Sequence, residues 1–223
     1  DRSLSEAAQS LIHRGPDGTG LWNERGCGLG HTRLSIHNLT DAGHQPMLSS
    51  DGRYVCVFNG EIYNFSELKV ELQSNGFKFN SQTDSEVVLY AFSYWGIDCV
   101  KKFNGMFAFI IYDDITGDVF AARDRLGIKP LYYMNSGDKW ILSSEIAPIL
   151  NLENRDFDEF GIRQYLKLRM TIKGYTIYKD IKMFPPGHYL LNGKLNRYWD
   201  LSIEEREAPK DDELRWLIED SVR

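Results

Sequence analysis

Three cysteines in 223 residues are too few and too scattered for a disulfide framework. Cys27, Cys56 and Cys99 form no CxxC pair and no zinc knuckle, so a reducing compartment, the cytoplasm, is the expectation, with no metal ligand set. Long apolar runs are also missing. None approaches the ~18 residues of a spanning helix, and the opening Asp1-Arg2-Ser3 has no signal-peptide core. There is no excess of positive charge: 26 Lys and Arg stand against 32 Asp and Glu, which argues against a nucleic-acid or anionic-membrane binder. What is present is ordinary for a globular domain, with 42% hydrophobic and 13% aromatic residues. At this length folding hides about 70% of the chain's surface, enough for a core without metal or disulfide.

Apolar spacing predicts helices over 4–12, 65–74 and 85–95, the last with Asp84 as N-cap. Strands are predicted over 28–34 and 54–58. The continuous apolar run at 106–112 pairs with 119–122 as a hairpin whose first strand is covered on both faces. Further strand pairs fit 130–134 with 139–143 and 188–192 with 194–198. Outer helices around doubly covered antiparallel strands imply a layered sandwich. Residues 204–212 read as a charged linker, and Leu214, Leu217, Ile218 and Val222 as a helical stripe that awaits a partner domain.

Three polar clusters carry the chemical signal. Arg33 interrupts a strand-like segment with a rigid fork suited to a carboxylate. Asn59-Gly60-Glu61 follows a strand, yet no returning strand comes after it, which leaves a side-chain amide and a backbone N–H as parts of an oxyanion hole. Asp84 places a carboxylate at a helix start, where plain capping is the competing explanation. A carboxylate clamp, an oxyanion donor pair and an ammonium acceptor together suit an amino acid. By contrast, Gly26-Cys-Gly-Leu-Gly30 reads as a turn entering a strand, and the five histidines match no zinc spacing.

In order, the chain contains His13-Arg-Gly-Pro-Asp17, Arg33-Leu-Ser-Ile36, Gly43-His-Gln-Pro46, Asn59-Gly-Glu-Ile-Tyr-Asn64, Thr83-Asp-Ser-Glu86, Phe103-Asn-Gly-Met-Phe-Ala-Phe109 and Arg123-Asp-Arg-Leu-Gly-Ile-Lys-Pro-Leu-Tyr-Tyr133. This series resembles the class II (N-terminal nucleophile) glutamine amidotransferase domain of glutamine-hydrolysing asparagine synthetases. The resemblance implies an α+β fold of four layers, αββα, with two antiparallel sheets between helices. It implies that Arg33, with the backbone of Leu34, Ser35, Ile36 and His37, holds the α-carboxylate of L-glutamine. Asn59 and Gly60 would stabilise the oxyanion, and Glu61 and Asp84 would hold the α-ammonium.

Residues 1–203 would then be the glutaminase domain, needing no cofactor. Residues 204–223 would be the linker and first helix of a C-terminal synthetase domain that uses ATP and magnesium; the family also allows a homodimer. The family's nucleophile is an N-terminal cysteine whose own α-amine is the base. Here Asp1 stands first, and each of the three cysteines has its amine in a peptide bond. The expectation is that a strand carrying the nucleophile precedes Asp1, and that the chain alone binds glutamine without hydrolysing it. The alternative is a nucleophile-less pseudo-glutaminase, a glutamine-binding or structural module.

Overall fold

The computed structural model describes residues 2–34, 43–137, 139–203 and 210–222. Ser35, Ile36 and His37, and residues 204–209 of the predicted linker, lie outside them. Within the described residues the chain opens with α1 (Arg2–Gln9), a 3-10 turn at Ile12–Arg14 and the hairpin of β1 (Gly18–Glu24) and β2 (Cys27–Arg33). Next come β3 (Met47–Leu48), β4 (Tyr54–Ile62), α2 (Phe65–Ser74), α3 (Asp84–Trp95) and α4 (Cys99–Lys102). Two hairpins come after these, β5 (Gly105–Asp113) with β6 (Val119–Arg123) and β7 (Tyr132–Ser136) with β8 (Lys139–Ser143). The remainder is α5 (Ile146–Leu152), α6 (Glu159–Leu168), β9 (Ile181–Met183), β10 (His188–Leu191), β11 (Lys194–Arg197) and α7 (Asp211–Val222).

All strand pairings are antiparallel. A six-stranded sheet runs β11-β10-β6-β5-β4-β3. Its two faces are built by the two-residue alternation of β4 and β5. Phe58, Ile62, Phe107, Phe109 and Ile111 point to one side, where α2, α3 and α4 supply Leu72, Leu89 and Val100. Val55, Ala108 and Tyr112 point to the other, against Leu29 and Trp22 of the β1–β2 hairpin and Phe184 and Trp140 beside β7–β8. Each fully buried Phe adds ~1.5–3 kcal/mol by leaving water, so these aromatic rows hold the layers in register.

The second sheet layer is split among the described residues into β1–β2 and β8-β7-β9. Its far side is covered by helices. Met134, Ile141 and Ile181 meet Ile149 of α5, and Leu4 and Ala8 of α1 lie against Gly28 and Gly30 of β2. Helix, sheet, sheet, helix is the αββα order expected.

Several boundaries differ from the sequence reading. The strand expected to stop at residue 58 continues to Ile62, because Asn59, Gly60, Glu61 and Ile62 pair with Ala108, Phe107, Met106 and Gly105. Asn59-Gly60 is therefore not a turn. Its glycine permits close approach: a Cβ at Gly60 would lie 2.3 Å from the Met106 oxygen, and one at Gly105 2.2 Å from the Glu61 oxygen. The N-cap of α3 is Thr83, one residue before the predicted Asp84. The sequence reading places no element at β1 or α6, where β1 has no buried residue and α6 buries only Gly161 and Gln164. α5 carries Pro148 in its first turn, where the missing N–H costs nothing. No helix among the described residues is long and apolar enough to cross a membrane.

Candidate functional site

β3 pairs with β4 only at Met47–Cys56 and Leu48–Val55. Past that point β4 is hydrogen-bonded on one edge, to β5, and open on the other. In an antiparallel ladder alternate residues direct N–H and C=O to opposite edges. Phe58 N–H donates to Gln45 Oε1 at 2.6 Å and Ile62 N–H to Asp84 Oδ2 at 3.1 Å, so both face the open edge. Gly60, midway between them, has the same parity, and its N–H faces the same way. Asn59 and Glu61, of opposite parity to Phe58 and Ile62, project into the space between the sheets.

That edge forms one wall of a cavity of about 320 Å³, lined by Arg33, Leu34, Asn59, Gly60, Glu61 and Asp84 among others. Side chains as far apart in the sequence as Arg33 and Asp84 are thus gathered at one site. Arg33 ends β2. Its carbonyl accepts from Asp17 N–H at 3.0 Å, and a Cβ at Gly15 would fall 2.3 Å from the Thr32 oxygen, so the Arg-Gly-Pro-Asp turn packs directly on this strand. The guanidinium lies against Gly43, where a Cβ would come within 2.7 Å of Nη2. We expect Gly43→Ala to shift the Arg33 fork and weaken a carboxylate ligand ~5–20-fold with little change in melting temperature. Calorimetric titration beside a thermal melt checks this; an unchanged affinity contradicts the placement.

The start of α3 lies alongside this edge, where Asp84 meets the Ile62 N–H. Glu86, buried in its first turn, accepts from Asn80 N–H (2.8 Å), Ser81 N–H (2.7 Å) and Ser81 Oγ (2.6 Å). Lys69 Nζ donates to the Ser81 carbonyl at 2.8 Å and Gln82 Oε1 at 2.9 Å. This clasp fixes the loop that delivers Thr83 and Asp84. Burial, reinforced by the charge of Glu61, pushes the Asp84 carboxyl up to about 6, against the pull of the Ile62 N–H. Two acidic groups are thus held together on one wall, an environment that favours a cation.

Among the lining residues not chosen from the sequence are His31, Gln45, Lys129 and Ser144. Burial lowers the His31 imidazole to about 4, and the nearby Arg33 adds to the effect, so the ring is neutral at physiological pH. Its Nδ1 is buried with no hydrogen-bond partner. Lys129 reaches the wall on a self-clasped loop. Asp124 accepts from the N–H groups of Leu126, Ile128 and Lys129, and Arg123 donates to the carbonyls of Gly127 and Lys129. A signal for this existed in the dense Arg-Asp-Arg-Leu-Gly motif, but spacing could not say which side chain it presents.

The cysteines lie away from the cavity lining. Burial pushes Cys27 up to about 11 and raises Cys56 and Cys99 further, so all three are protonated and inert at neutral pH. No three His, Cys, Asp or Glu side chains among the described residues gather in a way that could hold a metal ion.

Residues 1–199 match the family model described as a glutamine amidotransferase domain. The glutamine-hydrolysing asparagine synthetase 3 of Bacillus subtilis (strain 168) is 35% identical over 234 residues, covering 99% of this chain and 38% of the relative. The glutamine-hydrolysing asparagine synthetase 1 of the same organism is 35% identical over 185 residues, covering 82% and 29%. The chain spans about two-fifths of the length of the first of these relatives and less of the second. Among solved structures, a glutamine phosphoribosylpyrophosphate amidotransferase from B. subtilis, complexed with ADP and GMP, matches with a TM-score of 0.62 at 20% identity. That match covers 86% of this chain and 45% of the other. It is a likeness of fold.

Proposed function

The chain belongs to the glutamine amidotransferase domain family, and from that we propose that its cavity binds L-glutamine and serves its hydrolysis to glutamate and ammonia. The observation that carries the proposal is the convergence on one cavity of an arginine fork, two acidic side chains and an N–H with a neighbouring side-chain amide. Arg33 takes the α-carboxylate, assisted by Leu34 and the residues after it, and Glu61 with Asp84 takes the α-ammonium. The side-chain amide carbonyl then meets the Asn59 amide and the Gly60 N–H, where negative charge develops as a nucleophile attacks. In this reading the nucleophile is the N-terminal cysteine that the family uses, and none of Cys27, Cys56 or Cys99.

The ammonia passes to an ATP- and magnesium-dependent synthetase domain of the same protein, which forms an amide on a carboxylate acceptor. Residues 1–203 are the glutaminase domain and 204–223 lead into its partner. The wholly exposed α7, with Leu214, Leu217 and Ile218 uncovered, supports that division. Three unpaired thiols favour the cytoplasm.

Calorimetry with the full-length protein tests the ligand assignment. L-Glutamine should bind, while analogues lacking the α-carboxylate or the α-ammonium should bind at least ~10-fold more weakly, each having lost a charge-assisted contact. Equal affinity for all three would overturn the proposal.

A further inference from the structure

The geometry points to Gln45 as a positioning residue for the oxyanion donors, an assignment that rests on the glutaminase reading. β3 ends its pairing two residues short of Phe58, so the Phe58 N–H has no strand partner, and Gln45 Oε1 takes its place at 2.6 Å. A side chain thus supplies the next rung of a ladder whose strand has stopped. The rung matters because Asn59 and Gly60 come directly after Phe58. The next same-parity N–H after Gly60, that of Ile62, is fixed by Asp84. Gly60 N–H is therefore presented between two side-chain clamps, Gln45 before it and Asp84 after it.

The segment carrying Gln45 is itself fixed. Its carbonyl presses on β1 at Gly20, where a Cβ would lie 1.9 Å from the Gln45 oxygen. Without the Gln45 acceptor the part-buried Phe58 N–H would lose its partner, and on this edge β4 would be held only by its two rungs to β3 and by the Asp84–Ile62 bond, on either side of the donors. A displacement of the donors by a fraction of an ångström weakens the oxyanion contact, which forms fully only in the transition state. Arg33 on β2 and Asp84 on α3 keep their ground-state contacts to the ligand's α-groups.

The test compares Gln45→Met, similar in length but without the acceptor, and Gln45→Glu, which keeps one, in the full-length protein. Gln45→Met should lower kcat for glutamine hydrolysis ~10–100-fold with KM changed less than ~3-fold. Deuterium exchange of the peptide covering 54–62 should show one further fast-exchanging amide in Gln45→Met and none in Gln45→Glu. Three results would each overturn the role: unchanged kcat in Gln45→Met, a change confined to KM, or equal exchange in both variants. If the unmodified protein does not hydrolyse glutamine, the glutaminase reading fails separately. The exchange comparison still decides whether Gln45 holds the strand.

Discussion

Replacing Gly60 with alanine should abolish glutamine hydrolysis by the full-length protein, a loss of ~100-fold or more in kcat, and lower its unfolding free energy by ~2–3 kcal/mol or more. The reason is the neighbouring strand. A Cβ at position 60 would lie 2.3 Å from the Met106 oxygen and 2.8 Å from the Phe107 Cα. Both are backbone atoms, so no rotamer change can relieve the clash. Either β4 and β5 separate over the rungs from Asn59 to Ile62, or the Gly60 peptide rotates. Either response moves the N–H that the oxyanion needs. Urea denaturation and initial-rate kinetics on one preparation read both effects. A variant with unchanged stability and rate would mean that β4 does not pass this close to β5.

The second large effect concerns Asp84. Its carboxyl, raised to about 6 by burial and by Glu61, must be ionised to face an ammonium group. Glutamine affinity should therefore be level above pH 6 and fall about tenfold per pH unit below it. In Asp84→Asn that pH dependence should vanish, and the affinity at pH 8 should drop ~10–100-fold through loss of a charged contact.

Stability moves the other way. The folded-state value lies above the unfolded one of about 3.9, so between about pH 4 and 6 the native state holds more protons and loses stability as pH rises. Above pH 6 the full cost of a buried carboxylate is present. Asp84→Asn keeps an acceptor for Ile62 N–H and removes that cost, giving ~1–3 kcal/mol of added stability at pH 8 and little or none near pH 4. Denaturation curves at the two pH values check the sign. Equal destabilisation at both would show that Asp84 is a structural clamp and no strained binding group.

The outline of this fold was legible because the information was local. The helix at 65–74 has the predicted bounds, and the doubly covered strand at 106–112 arises from an unbroken apolar run. The site residues Arg33, Asn59, Glu61 and Asp84 stood out as polar groups where packing alone would put apolar ones. What stayed hidden depends on a second segment. Asn59-Gly60 reads as lying past the end of a strand until Met106 and Phe107 are placed beside it. Asp84 reads as a cap until its bond to Ile62 is seen. His31 shows nothing in the sequence of the burial that keeps it neutral. Ser35, Ile36 and His37 fall outside the described residues.

The strands of the six-stranded sheet end at different heights, like the treads of a stair. At two treads a side chain completes the step: Asp124 Oδ2 receives the Phe107 N–H beyond β6, and Gln45 receives the Phe58 N–H beyond β3. One tread higher on β4, the Gly60 position is left for a visitor. Had β3 been long enough to stay in register beside Gly60, that N–H would have been consumed as an ordinary ladder bond. The sheet would have gained a rung and lost a binding group. The proposed oxyanion donor occupies the place where a strand stops early, so insertions that lengthen the 43–48 segment should be among the least tolerated in the chain.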